Sequence, residues 1–213
     1  MRPVDIALFK ATKGNIAEVL KLIEQKANVN ARDKYGKTPL HYAAINGRTD
    51  IAELLINSMA DVNAQDKYKD TPLHYAAEAG DVQSVTAHLL IKNEANVNAI
   101  NNARETPLNL AVRYGTINTI EELIKKGADV DIKDKYGKTP LDWAFEKGDA
   151  KIIEALQSAA KKRKGSAVEE SNKGQAAKSS RTTGTGFAIA VKEERGPQEG
   201  PAGGTAGGMG IGK

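Results

Sequence analysis

One six-residue phrase recurs four times along this chain and fixes what the chain can fold into. Thr38-Pro39-Leu40-His41-Tyr42-Ala43 returns as Thr71-Pro72-Leu73-His74-Tyr75-Ala76, as Thr106-Pro107-Leu108-Asn109-Leu110-Ala111 and as Thr139-Pro140-Leu141-Asp142-Trp143-Ala144. The starts lie 33, 35 and 33 residues apart. A second marker keeps the same step: Asn28-Val29-Asn30-Ala31, Asp61-Val62-Asn63-Ala64, Asn96-Val97-Asn98-Ala99 and Asp129-Val130-Asp131-Ile132. Two independent markers sharing one period argue for stacked units, each of which buries its apolar side only against a neighbour.

Each unit reads as two short helices and a turn. Thr38 sits where a hydroxyl can accept from the orphan N–H groups of a first helical turn. Pro39 follows at the position where a missing N–H costs nothing. Leu40, Ala43 and Ala44 have helical spacing, and the small Ala pair lets a second helix approach closely. Gly47 ends the first helix. A second helix is expected over about Asp50 to Asn57, with Ile51, Leu54 and Leu55 inward. The turn Asp33-Lys34-Tyr35-Gly36 then projects as a finger.

The repeated Thr-Pro-Leu-His-x-Ala phrase at about 33 residues resembles the ankyrin-repeat family. The resemblance implies an all-α solenoid of helix–turn–helix units with β-hairpin fingers over residues 1–158, in five repeats at about 3–32, 33–65, 66–100, 101–133 and 134–158. It also implies a protein-binding scaffold or adaptor with no catalysis and no cofactor, and a structural role for His41 and His74, bonded within and between loops.

The end units differ from the rest. In the first, Asp5 takes the cap position before Ile6-Ala7-Leu8-Phe9, Gly14 ends the helix, and Lys10 stands where later units have Ala. In the last, a polar helix is expected from Asp149 to Gln157 with Ile152, Ile153 and Leu156 inward. Two further departures concern the middle. Asp81 to Ala95 must absorb two extra residues, as a longer second helix (which would carry a half-exposed His88) or a wider loop. Lys69 and Arg104 occupy turn positions held elsewhere by Gly36 and Gly137, so those turns must avoid positive φ or accept strain of about 1 kcal/mol.

After Gln157 the composition shifts. Residues 159–213 carry ten Lys/Arg and five Glu, leaving 21 basic and 22 acidic residues before them, so the net charge of +4 belongs to the tail. Rich in Gly, Ser, Pro and Lys, this tail is expected to be disordered, with Phe187 to Val191 as a candidate docking motif. Lys161, Lys162, Arg163 and Lys164 resemble a short nuclear-import signal; the alternative is a solvated helix end, where cations complement the helix dipole. The absence of cysteine excludes thiolate metal sites and a Cys nucleophile. No secretory signal or bilayer-length apolar run is evident, so the expected location is cytoplasmic, with nuclear import as an addition.

No metal set, phosphate loop or catalytic constellation stands out. The fingers carry the repeated chemistry: Lys34, Tyr35 and Lys37; Lys67, Tyr68, Lys69 and Asp70; Asn102, Arg104 and Glu105; Lys135, Tyr136 and Lys138. The ends of the first helices add Ile45, Asn46, Glu78, Arg113, Tyr114 and Glu146. Tyr and basic side chains suit a protein partner with an acidic surface. The expected molecule is monomeric, without membrane contact. Two alternatives stand beside the scaffold: a nucleic-acid-associated regulator using the basic tail, disfavoured because Phe187 is the only aromatic there, and a secreted host-directed effector of an intracellular bacterium.

Overall fold

The computed structural model describes residues 1–80, 84–114 and 116–163. These lie in one compact unit, Met1–Glu169. Among them the structure is helical throughout, in five consecutive pairs: α1 (Pro3–Ala11) with α2 (Ile16–Glu24), α3 (Pro39–Ile45) with α4 (Thr49–Asn57), α5 (Pro72–Glu78) with α6 (Ser84–Lys92), and α7 (Pro107–Tyr114) with α8 (Ile117–Lys125). The last pair is α9 (Pro140–Lys147) with α10, residues 150–163.

One thin core runs through the stack. Leu8, Leu40, Leu73 and Leu108 of the first helices are fully buried, as are Ile51, Leu55, Leu90, Ile120, Leu123, Ile152 and Leu156 of the second helices to within 1%. The Ala43–Ala44 and Ala76–Ala77 pairs are fully buried where neighbouring first helices meet. In the last described repeat the second of these positions is Phe145, 54% exposed.

Helices α5, α7 and α9 open on a reciprocal cap. In the third repeat the Thr71 hydroxyl accepts from the His74 N–H at 3.4 Å, while His74 Nδ1 accepts from the Thr71 N–H at 3.1 Å. His74 Nε2 then donates to the Glu105 carbonyl of the next repeat at 3.1 Å, and His41 bonds the Asp70 carbonyl in the same way at 3.1 Å. A backbone N–H can only donate, so Nδ1 is the bare nitrogen and both rings are neutral. Burial agrees, pulling both pKa values down to about 4. The structural role expected of these histidines is thus accounted for bond by bond.

A second ladder uses asparagine. Asn30, Asn63 and Asn98 each accept, through Oδ1, from a backbone N–H of the next repeat (Asp61, Asn96 and Asp129, at 2.8, 2.7 and 2.7 Å). Each also donates, through Nδ2, to a carbonyl two residues earlier (Met59, Glu94 and Gly127, at 3.0, 3.2 and 3.2 Å). The primary amide satisfies one donor and one acceptor that would otherwise be left at the junction. At the outer side of the first repeat, Arg2 and Asp5 divide the task. Asp5 Oδ1 accepts from the Asn28 N–H at 2.9 Å, and Arg2 donates to the Lys26 carbonyl at 2.9 Å.

Several expectations need revision. Helix α1 begins at Pro3 after an Arg2 cap, three residues before the anticipated cap at Asp5, because Asp5 is bonded to Arg2 and Asn28 inside the first turn. Helix α6 is described from Ser84 to Lys92, and the choice between a longer helix and a wider loop for the two extra residues turns on residues 81–83. Residues 81–83 lie outside the described ones. Helix α10 runs to 163, past the boundary placed at 158, so residues 159–163 are helical; the tail from 164 onward, including Lys164 and Phe187 to Val191, lies outside the described residues.

Candidate functional site

The fingers are hairpin-shaped turns built by one acidic or amide side chain each; no strands occur among the described residues. Asp66 Oδ1 accepts from the Tyr68 and Asp70 N–H groups at 2.8 and 3.1 Å. Asp33, Asn101 and Asp134 do the same at the equivalent positions. Lys69 and Arg104 do adopt positive φ, at 62° and 59°, like Gly36 and Gly137 at 80° and 78°. The turn geometry is therefore kept and the strain accepted. Successive fingers are also joined: the Tyr35, Tyr68 and Ala103 carbonyls accept from the Lys67, Asn102 and Lys135 N–H groups at 3.0, 2.9 and 2.9 Å. Joined turns present their side chains in a fixed row, and Tyr35, Tyr68 and Tyr136 stand 44%, 55% and 64% exposed on it.

Between the third and fifth fingers and helices α5 and α7 lies a cleft of about 500 Å³. Nine of the expected partner-binding residues line it: Tyr68, Asp70, Glu78, Asn102, Glu105, Arg113, Tyr114, Lys135 and Tyr136. Asn101, Ala103 and Leu110 complete it and were not foreseen. Asn101 was findable, since it occupies the step of Asp33, Asp66 and Asp134 in the period.

Other expected residues are committed within the chain. Lys37 donates to Asp66 at 2.7 Å and also to the Tyr75 hydroxyl. That pair is nearly buried, and Tyr75 in turn bonds Asp66 at 2.8 Å. Glu105, 7% exposed, is bonded to Arg113. Lys138 pairs with Glu146 at 2.6 Å. Asn46 bonds the Tyr42 carbonyl at 2.7 Å, and Ile45 is half-buried. Lys34, Lys67, Lys69 and Arg104 are exposed on the fingers, with Lys34 over the Tyr35 ring at 4.9 Å.

The carboxyl groups on this face differ. Burial is the largest influence on Asp70, raising its pKa to about 6, with Asp66 and Glu78 adding to the rise. For Asp66, burial is again the largest influence but raises the pKa, and bonds from Lys37 and Tyr75 outweigh it and hold the carboxyl low. Away from this face, His88 is exposed and pairs with Glu122 at 2.6 Å. Lys161, Lys162 and Arg163 lie on the last turn of α10, where Arg163 grips Asp129. No group of three potential metal ligands occurs among the described residues, and no described helix is long and apolar enough to cross a membrane.

Comparison with known proteins agrees with this geometry. A family model described as ankyrin repeats in three copies matches residues 7–101, 56–134 and 73–165. Acyl-CoA-binding domain-containing protein 1 of Arabidopsis thaliana is 46% identical over 46 residues, which is 22% of this chain and 14% of that protein. The 2-5A-dependent ribonuclease of Mus musculus is 46% identical over 54 residues, 24% of this chain and 7% of that protein. The chain thus spans only a small part of these relatives, and the shared segments of 46 and 54 residues are longer than one 33-residue repeat and shorter than two. Ankyrin repeats are generally protein–protein interaction modules and typically non-enzymatic. With the model spanning most of its length, the chain belongs to the ankyrin-repeat family.

Proposed function

We propose that the chain is a scaffold or adaptor that binds a protein partner on the face formed by the fingers and first helices. The observation that carries this is the cleft, where side chains from two first helices and three fingers converge at fixed spacing. Three hydrogen-bonded junctions hold the fingers in register before any partner arrives. A preorganised surface loses little ordering entropy on binding, so moderate contacts suffice.

The exposed tyrosines are the natural anchors, since aromatic residues carry a disproportionate share of interface energy. The test is cross-linked capture of a partner from lysate by the full chain, followed by titration of that purified partner against wild type and the Tyr35→Ala/Tyr68→Ala/Tyr136→Ala variant. We expect the triple variant to weaken binding by about tenfold or more. Unchanged affinity would remove the finger face from recognition.

A further inference from the structure

The cleft holds a charge that its own residues do not balance. Lys37 is joined to Asp66 and Tyr75, and Arg113 to Glu105. Asp70 and Glu78 are left with neutral donors only: Asn101 Nδ2 at 2.8 Å to Asp70, and the Tyr114 hydroxyl at 3.0 Å to Glu78. Three tyrosine rings, Tyr68, Tyr114 and Tyr136, stand around these carboxylates, each close to half exposed or more. The other cation lining the cleft, Lys135, lies over the Tyr136 ring at 5.0 Å and leaves one carboxylate's charge in excess, and the fingertips outside carry the opposite sign through Lys67, Lys69 and Arg104.

A floor of two unmatched carboxylates, aromatic walls and a basic rim select one kind of visitor. A guanidinium fits the floor better than an ammonium. It is planar and weakly hydrated, pairs with carboxylates through several N–H groups, and stacks on aromatic rings. The basic rim disfavours a uniformly cationic segment and favours acidic residues on either side of the inserted one. Resting on the finger-face reading above, we propose that this cleft accepts a single arginine side chain from a partner segment that is otherwise acidic. Its guanidinium pairs with Asp70 and Glu78 against the Tyr68 and Tyr114 rings. The expected acidic partner surface thereby becomes more specific: the rim takes the acidic residues and the floor takes one cation.

The test uses two synthetic acidic peptides, identical except that one carries a central arginine and the other its neutral isostere citrulline. Each is titrated against the isotope-labelled full chain, and the amide resonances of the cleft are followed by NMR. The arginine peptide should bind about tenfold more tightly, the scale of a charge-assisted pair, with shifts centred on Asp70, Glu78 and Tyr114. In the Asp70→Asn/Glu78→Gln variant that preference should disappear. This variant keeps both acceptors, for Asn101 and for Tyr114, so the fold is retained. Tyr35→Ala, outside the cleft, should leave the preference intact. Equal affinity of the two peptides, shifts away from the cleft, no binding by either, or a preference that survives the double variant would each overturn the proposal. None of those results bears on the finger-face reading, which stands or falls on the captured partner and the tyrosine triple variant.

Discussion

The junctions in this stack are of two kinds. The three between the first and fourth repeats are stitched by neutral amides, Asn30, Asn63 and Asn98, which bond backbone on the far side, and two of them also by the imidazoles of His41 and His74. The junction between the fourth and fifth keeps the finger bond from Lys135 to Ala103 but lacks both ladders. Asp131 stands at the amide position and Asn109 at the imidazole position, with only a long 3.5 Å bond to Ile132 in its own repeat. Cations take over there. Arg163 grips Asp129 and lies 3.7 Å from Asp131, Lys147 bonds the Arg113 carbonyl, and Arg113 lies over the Trp143 ring at 5.3 Å. Neutral hydrogen bonds are geometrically demanding and insensitive to salt. Exposed ionic ones are adaptable and screened.

The sharpest way to break the contrast is at the imidazole position. His74→Ala leaves the Thr71 N–H without a partner inside the protein, removes one of the two donors to the Glu105 carbonyl (the Asn101 N–H remains at 3.1 Å) and opens a cavity in the stack, and should cost about 2–4 kcal/mol in urea unfolding. Asp142→Ala removes an exposed cap that bonds Thr139 alone and should cost only about 1 kcal/mol. The histidines also set the response to acid. Their folded pKa of about 4 lies below the ordinary 6.5, so between those values the unfolded chain binds protons that the folded chain refuses. Stability is therefore complete above pH 6.5 and is lost as pH falls toward 4, by up to roughly 3 kcal/mol per histidine. Asp70, raised to about 6, works in the opposite direction over part of that range and blunts the loss. His41→Asn/His74→Asn, copying the residue at 109, should flatten the slope between pH 6.5 and 4. An unchanged slope would mean that other groups govern the acid response.

The amide ladder and the cationic clamp give the next contrast. Asn63→Ala orphans the Asn96 N–H and the Glu94 carbonyl at a partly solvated loop, and about 1–2 kcal/mol should be lost, with little dependence on salt. Arg163→Ala should cost no more than about 1 kcal/mol, and the cost should vanish in 1 M salt, where the Debye length is about 3 Å. Hydrogen exchange would localise the effect: high salt should speed exchange in α9 and α10 while leaving α3 to α6 protected. Uniform protection across the stack would show that the last junction is not the weak one.

Most of the fold was legible because the period is written twice, in the Thr-Pro-Leu phrase and in the Asp/Asn-Val-Asn phrase, and because caps, breakers and small residues sit in phase with it. What escaped depended on distance in space. Nothing in Arg2 and Asp5 announces that they face the backbone at residues 26 and 28 and make there the two bonds that an asparagine makes at later junctions. The site was legible by position but not by charge. The sequence marks Lys37, Glu105, Lys138 and Glu146 as finger-face residues without revealing that they neutralise one another or an inner partner. Only once those pairs are set aside do Asp70 and Glu78 emerge as the unmatched charges.

The smallest expected effect concerns a strain that the sequence concealed. The residues just past α2, α4, α6 and α8 are Lys26, Met59, Glu94 and Gly127, with φ of 63°, 68°, 65° and 86°. Only the fourth repeat places glycine in this left-handed conformation, and the other three carry a Cβ there at a cost. Met59 is the cleanest site to relieve. Its side chain is 82% exposed, so truncation sacrifices almost no packing, and its carbonyl still accepts from Asn30 Nδ2. Met59→Gly should raise stability by about 0.5–1 kcal/mol, which in a chain of this size is a rise of about 2–4 °C in Tm per kcal/mol. Glycine also makes the unfolded chain more flexible, which works against the gain. A neutral or lowered Tm would mean that this entropy outweighs the strain, and that the second and third repeats are no more stressed at this corner than the fourth. A rise confined to Met59→Gly and Glu94→Gly, with Gly127→Ala losing a similar amount, would show that the neutral ladder is assembled over strained corners and holds them.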